Sequence, residues 1–331
     1  MSVLLNAFLG VQNLTKNRKI EICLITFGGI IKVVNKRTEH FLNKWLNCGV
    51  NFVLLGVACT LLWLFIQMFC IASFHIPTDS MEPDLLAGDV VLVNKLTYGA
   101  RLFNILDAVE GKQVEIVRLP GMRKVKRNDV VVFNNPCPRR WRKLEIDVMQ
   151  YYVKRCVALP GDIFRIEDGR YKVAGYDGSL GKVDAQDQFR QMIEHQGLSD
   201  SDDIVRAYPG DHFLAWTTVK FGPFYIPCTG DSIPMNIHTY KLYHNVIEWE
   251  QKDKLVYRDG QVYLSDKAIE GYRFLNNYYF MAGDKVNNSK DSRYWGLLPE
   301  EYIVGKVWRI WKSVDKYTGK TRWERVWKKV R

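Results

Sequence analysis

No two of the seven cysteines (Cys23, Cys48, Cys59, Cys70, Cys137, Cys156 and Cys228) are spaced C-x-x-C. That spacing would mark a zinc ribbon or a thioredoxin-like redox pair, so neither has support. No H-E-x-x-H occurs, which removes the zinc-protease signature. No G-x-S-x-G marks a hydrolase nucleophile elbow. Helix-turn-helix, zinc-finger and RNP patterns are missing, as are internal repeats and low-complexity tracts. Histidine is scarce. His40, His75, His195, His212, His238 and His244 are all there is, and none sits in a tight motif with an acidic partner. A Ser-His-Asp triad stays open, because its members need not be near in sequence, but nothing points to one. Neither a metal nor a cofactor is expected.

The 331 residues are 47% hydrophobic and 25% charged, which suits one large globular domain or two ordinary ones. The net charge of +11 points to nucleic acid or anionic lipid. With nucleic-acid motifs missing, phospholipid is the expected partner and nucleic acid is not.

Val53 to Phe74 carries no charge in 22 residues. At about 1.5 Å per residue it spans roughly 33 Å, enough to cross the hydrocarbon core as a helix. Cys59 and Cys70 fall within it as small hydrophobes. Residues 1–52 form a basic segment before it. Lys16, Arg18, Lys19, Lys32, Lys36, Arg37 and Lys44 face only Glu21 and Glu39. This asymmetry predicts a single-pass anchor with a cytoplasmic N-terminus and an exported remainder. The apolar patch at 22–31 is too short to span and fits the interface or local packing better.

Beyond the span the texture turns to β. Val90–Val93, Val130–Phe133, Val153–Ala158, Ile163–Ile166, Leu255–Tyr257, Val262–Leu264, Tyr278–Met281 and Val304–Ile310 are β-branched or aromatic runs between Gly-Asp and Asp-Gly turns. Helical periodicity is weak except over Asp184–His195. The expected class is mainly β. Residues 75–168 and 274–331 would form one antiparallel β domain, with 169–273 an inserted β-rich subdomain. Downstream of the span Cys137, Cys156 and Cys228 are odd in number, so at least one is free or pairs between chains. At the C-terminus, from residue 306 on, ten Lys/Arg interleave with Trp308, Trp311, Trp323 and Trp327. That mixture suits a headgroup surface, with a hairpin burying its tryptophans as the alternative.

Three stretches carry chemistry. The first is Phe74–Asp89, where Ser80 lies between Pro77 and Pro83 in a stiff, non-helical segment. It reads either as a linker or as a presented nucleophile, at most about 20 Å of chain from the span. A serine without a histidine needs a neutral lysine as base, and burial in an apolar wall is what lowers a lysine pKa. Lys154 fits, in the apolar strand that ends at Pro160-Gly161. Arg155 should then point to the opposite face, leaving one of the two inward. The third stretch is the polar loop Gly283–Gly296. Ser289 could orient a lysine amine there, and Asp291 and Arg293 could pin the loop as an ion pair.

Taken together these stretches resemble the bacterial type I signal peptidases, the membrane-bound Ser/Lys serine endopeptidases of family S26. Ser80-Met81-Glu82-Pro83 is similar to the nucleophile box S-M-x-P, and Asn128–Phe133 to the strand box that follows. Lys154-Arg155 through Pro160-Gly161-Asp162 is similar to the lysine box. Gly283-Asp284 through Ser289, with Asp291–Gly296, is similar to the last box. Four boxes in order behind a span are a strong signal. The resemblance implies signal-peptide removal from exported preproteins at the bacterial cytoplasmic (inner) membrane, with small residues before the cut. It implies Ser80 as nucleophile, Lys154 as general base, and the Ser80 N–H with the Thr78 hydroxyl as oxyanion donors. Ser289, Asp291 and Arg293 would support the site, and Met81 and Pro83 would border the substrate. The chain departs from the pattern at Asn128, Ala158, Lys285 and Val286, and residues 1–47 lie outside it.

The rivals are few. A Ser/Lys self-cleaving repressor would need a DNA-binding domain, which is missing. Ser313-Val-Asp-Lys316 matches S-x-x-K but lacks K-T-G and S-D-N partners. A catalytically inactive membrane-anchored binding module would differ chiefly in lacking the intact dyad.

Overall fold

The computed structural model describes residues 36–110, 114–139, 143–199 and 201–330. The patch at 22–31, the cations Lys16, Arg18, Lys19 and Lys32, and most of 1–47 lie outside the described residues. The chain divides into units 1–61 and 62–331. A helix runs over Lys36–Phe65 and ends in a π-helical turn, Ile66–Cys70. Its Lys44–Cys70 portion is apolar, with none of its most apolar stretch buried, and at about 40 Å it is long enough to cross a bilayer.

The span was expected to reach Phe74, but the helix stops four residues sooner. Ile71–His75 (β1) is instead extended and pairs antiparallel with Asp89–Asn94 (β2). Two contacts enforce the change. The Lys95 ammonium donates to the carbonyls of Gln67 (2.9 Å) and Met68 (3.0 Å), groups a helix C-terminus leaves orphaned. The Lys95 N–H takes the Cys70 carbonyl at 2.8 Å.

The frame of the second unit is a seven-stranded antiparallel sheet. Its further strands are Val130–Asn134 (β3), Tyr151–Ala158 (β4), Tyr278–Ala282 (β5), Leu298–Pro299 (β6) and Ile303–Ser313 (β7), in the order β1-β2-β7-β3-β4-β5-β6. The fold is mainly β, as expected. β3 and β5 are buried along their whole length, as is β4 from Lys154 on, because both sheet faces are covered. One face carries the larger core, where Phe164, Phe221, Phe224 and Phe280 pack edge to face and stacked. The other carries Ile76, Met81, Leu85, Val91, Val93 and Val307.

Residues 169–273 are less β-rich than their composition indicated. Two helices lie there, Val183–Gln196 and Ile237–Gln251. The first matches the stretch expected at Asp184–His195. The second was missed, although Asn236 and Thr239 form a capping box and Ile237, Tyr240, Tyr243 and Ile247 recur at helical spacing. Its aromatic content masked the period. At the C-terminus the tryptophans are not core residues. Trp308, Trp311, Trp323 and Trp327 are all exposed, so the buried-hairpin alternative fails. Cys156 is buried in the larger core, and the Cys228 thiol donates to Asn277. Neither is in a disulfide.

Candidate active site

β4 is the centre of the site. Lys154 lies opposite Val131 of β3, and Arg155 lies between Val130 of β3 and Ala282 of β5. The two side chains take opposite faces, as alternation demands. The expectation that only one is inward fails: both are buried, Lys154 at 5% exposure and Arg155 at 3%. A central strand covered on both faces has no solvent side to offer.

Lys154 makes one side-chain hydrogen bond among the described residues. Its Nζ donates to the Ser80 Oγ at 2.5 Å. Burial among the sheet residues pushes its pKa down to about 8, against the pull of Asp291 and Asp284 and with help from Arg293. Ser80 stands at the head of the turn that follows Thr78, half-exposed above the smaller core. Met81 is 1% exposed within that core, so its side chain supports the turn from below. Pro83 and Thr78 are exposed. No acceptor among the described residues takes the Ser80 N–H or the Thr78 hydroxyl.

Arg155 ties the lysine box to the Ser80 turn, the strand box and the last box. It binds both carboxylate oxygens of Asp284 (2.7 and 2.6 Å), one of Asp84 (2.8 Å) and the Asn128 carbonyl (2.8 Å). The sequence reading did not single out Asp84 or Asp284. Their only signal was position, one in the nucleophile turn and one beside Gly283. Asn128 explains its own departure from glycine. It has φ +68°, which asparagine tolerates, and its amide bridges to the Ser179 carbonyl and the Gly181 N–H. Ala158 is fully buried where β4 meets Phe280.

The loop after β5 closes the site. Asp291 and Arg293, both fully buried, form the expected ion pair, with Nε–Oδ1 at 2.8 Å. Burial alone would raise the Asp291 pKa, but Arg293 holds it below the usual carboxylate range. The other Asp291 oxygen accepts from Gly283 N–H at 2.9 Å. The bond expected from Ser289 to the Lys154 amine is not formed. Ser289 Oγ is buried and turns toward the Asp291 carboxylate, whose charge it helps to hold, and not toward the lysine. It lies against Gly283, where a Cβ would stand 2.0 Å from it and 2.8 Å from the Ser80 carbonyl. Gly283→Ala is therefore expected to push the loop off the nucleophile turn and lower kcat at least about tenfold, since small misplacements at a reacting centre cost that much. Preprotein cleavage rates at saturating substrate would show it. The described residues hold no cluster of metal-ligating side chains.

The signal peptidase, peptidase S26 family model matches residues 49–220 and 226–311, which is most of the chain. The chain belongs to that family. A signal peptidase I of Buchnera aphidicola subsp. Schizaphis graminum is 29% identical over 76% of this chain and 71% of its own. One from Helicobacter pylori strain J99 is 25% identical over 87% of this chain and 95% of its own. This peptidase is accordingly a serine endopeptidase of the bacterial type I kind. The family match runs through most of 169–273, so that segment is largely shared with the family, and it leaves 1–48 outside.

Proposed function

We propose that this peptidase cleaves signal peptides with Ser80 as nucleophile and Lys154 as general base. The observation that carries the reading is the 2.5 Å contact between Ser80 Oγ and a buried Lys154 amine. At pH 8 about half of a lysine with pKa about 8 is neutral and able to accept a proton. As Ser80 Oγ attacks the scissile carbonyl, Lys154 takes its proton and then returns it to the leaving amine. An acyl-enzyme remains, and water activated by Lys154 releases the product. The Ser80 N–H and the Thr78 hydroxyl, both uncommitted, donate to the oxyanion. Ser289, buried beside Asp291, takes the amine when Ser80 leaves it. Asp291 and Arg293 hold the loop that carries Ser289. The preprotein adds as an extended strand near Pro83, with small residues before the cut.

The same reading places the chain in the inner membrane, with Lys44–Cys70 as single-pass anchor, the N-terminus cytoplasmic and residues from 75 on extracytoplasmic. Phospholipid, not nucleic acid, is the surface partner. The support is the exposed Trp308, Trp311, Trp323 and Trp327 set among basic residues.

Ser80→Ala tests the nucleophile directly: cleavage of a preprotein should vanish, and normal processing would sink the assignment. The pH profile tests the base. A base with pKa about 8 requires kcat/KM to fall about tenfold per pH unit below that value. Activity that stayed flat down to pH 6 would rule out Lys154.

A further inference from the structure

Lys285 stands where the last box of the family pattern often carries asparagine, and it does not hang free. Its backbone N–H donates to the Ser80 carbonyl at 3.1 Å. Its ammonium binds the Asp79 carboxylate and, at 2.9 Å, Glu82 Oε2. Asp79 and Glu82 flank Ser80 on its two sides. Asn288, one turn further along the same loop, donates to both Asp79 oxygens at 2.9 and 3.1 Å. The far end of the turn has separate anchors. Asp84 is held by Arg155 and Lys182, and Asp89 by Arg325. Residues 79–82 have the Met81 side chain in the core below and Lys285 above.

We propose that Lys285 is a positioning residue that clamps the nucleophile turn across Ser80 and sets the reach from Ser80 Oγ to Lys154. The proposal rests on Ser80 and Lys154 being the reacting pair. The three side chains are each about one-third exposed, and exposed ion pairs contribute little to folding stability. Both pairs and a main-chain bond nevertheless converge on four residues that include the nucleophile. The clamp should therefore show in kcat more than in the melting temperature.

It should also show in the pH profile. The charges facing Lys154 are Asp291, Asp284 and Arg293 from the loop after β5 and Asp79 from the turn. The Tyr152 ring packs against it from its own strand. Lys285 neutralises Asp79. Without that cation, the Asp79 charge holds the proton on Lys154 more tightly.

The test compares Lys285→Gln, Lys285→Arg and the triple variant Asp79→Asn/Glu82→Gln/Lys285→Gln, with full-length protein in lipid vesicles and a preprotein substrate. Lys285→Gln should lower kcat about tenfold with KM changed less than about twofold, and move the acid limb of kcat/KM to higher pH. Lys285→Arg should recover both. The triple variant should recover the acid limb and not kcat. Wild-type kcat and acid limb in Lys285→Gln would overturn the clamp. Ser80→Ala runs beside these variants: if it still cleaves, the nucleophile reading fails, whereas an inactive Ser80→Ala with an unaffected Lys285→Gln sinks only the clamp.

Discussion

Lys154→Ala is expected to lower kcat/KM by about 10³-fold or more, with the protein still folded and inserted. The magnitude follows from what the side chain is asked to do. A positioned general base contributes about 10²–10⁴-fold, and the proposed mechanism uses Lys154 in both acylation and deacylation. Lys154→Arg should not rescue, because a guanidinium stays protonated at any working pH. Cleavage within tenfold of wild type by Lys154→Ala would remove the lysine from the mechanism.

The same residue carries a stability signature that separates catalysis from folding. Burial depresses its pKa from 10.5 to about 8, so the charged form costs the folded state about 3 kcal/mol. With only 5% exposure, solvent screening discounts little of this. The sign is set by proton binding: between pH 8 and 10.5 the unfolded chain binds more protons, so wild-type stability rises with pH across that window. Lys154→Met should be more stable than wild type at pH 7, and the advantage should shrink as pH rises from 8 and be lost by about 10.5. Denaturant melts at the two pH values would measure it.

The residues legible from sequence were those whose type is unusual for their setting. A lysine inside an apolar strand and a serine between prolines each break a local rule, and both lie at the site. Strand positions were legible because β-branched runs and Gly-Asp turns act within a few residues. The end of the long apolar helix was not, because it is decided by Lys95 and by pairing with Val90–Asn94, some twenty residues on. The ion pairs of Asp84 and Asp284 are illegible for the same reason: their partner Arg155 is 71 and 129 residues away. The clamp needed 206 residues of separation to close.

Asp291 and Arg293 should behave as a unit in stability and as opposites in catalysis. Both side chains are 0% exposed and are bound through two hydrogen bonds, at 2.8 and 2.9 Å. Removing one partner leaves the other buried and uncompensated, so Asp291→Asn and Arg293→Met should each destabilise by about 3–5 kcal/mol. The double variant should lose less than the sum, because neither charge is then stranded. Their effects on Lys154 run in opposite directions. Asp291 is the strongest charge holding the proton on that amine, and Arg293 works to expel it. Asp291→Asn should move the acid limb of kcat/KM to lower pH, Arg293→Met should move it to higher pH, and the double variant should return it near wild type. Measured on protein kept well below its melting temperature, limbs shifted the same way in both single variants would contradict an electrostatic hold on Lys154 and leave this pair a role in folding alone.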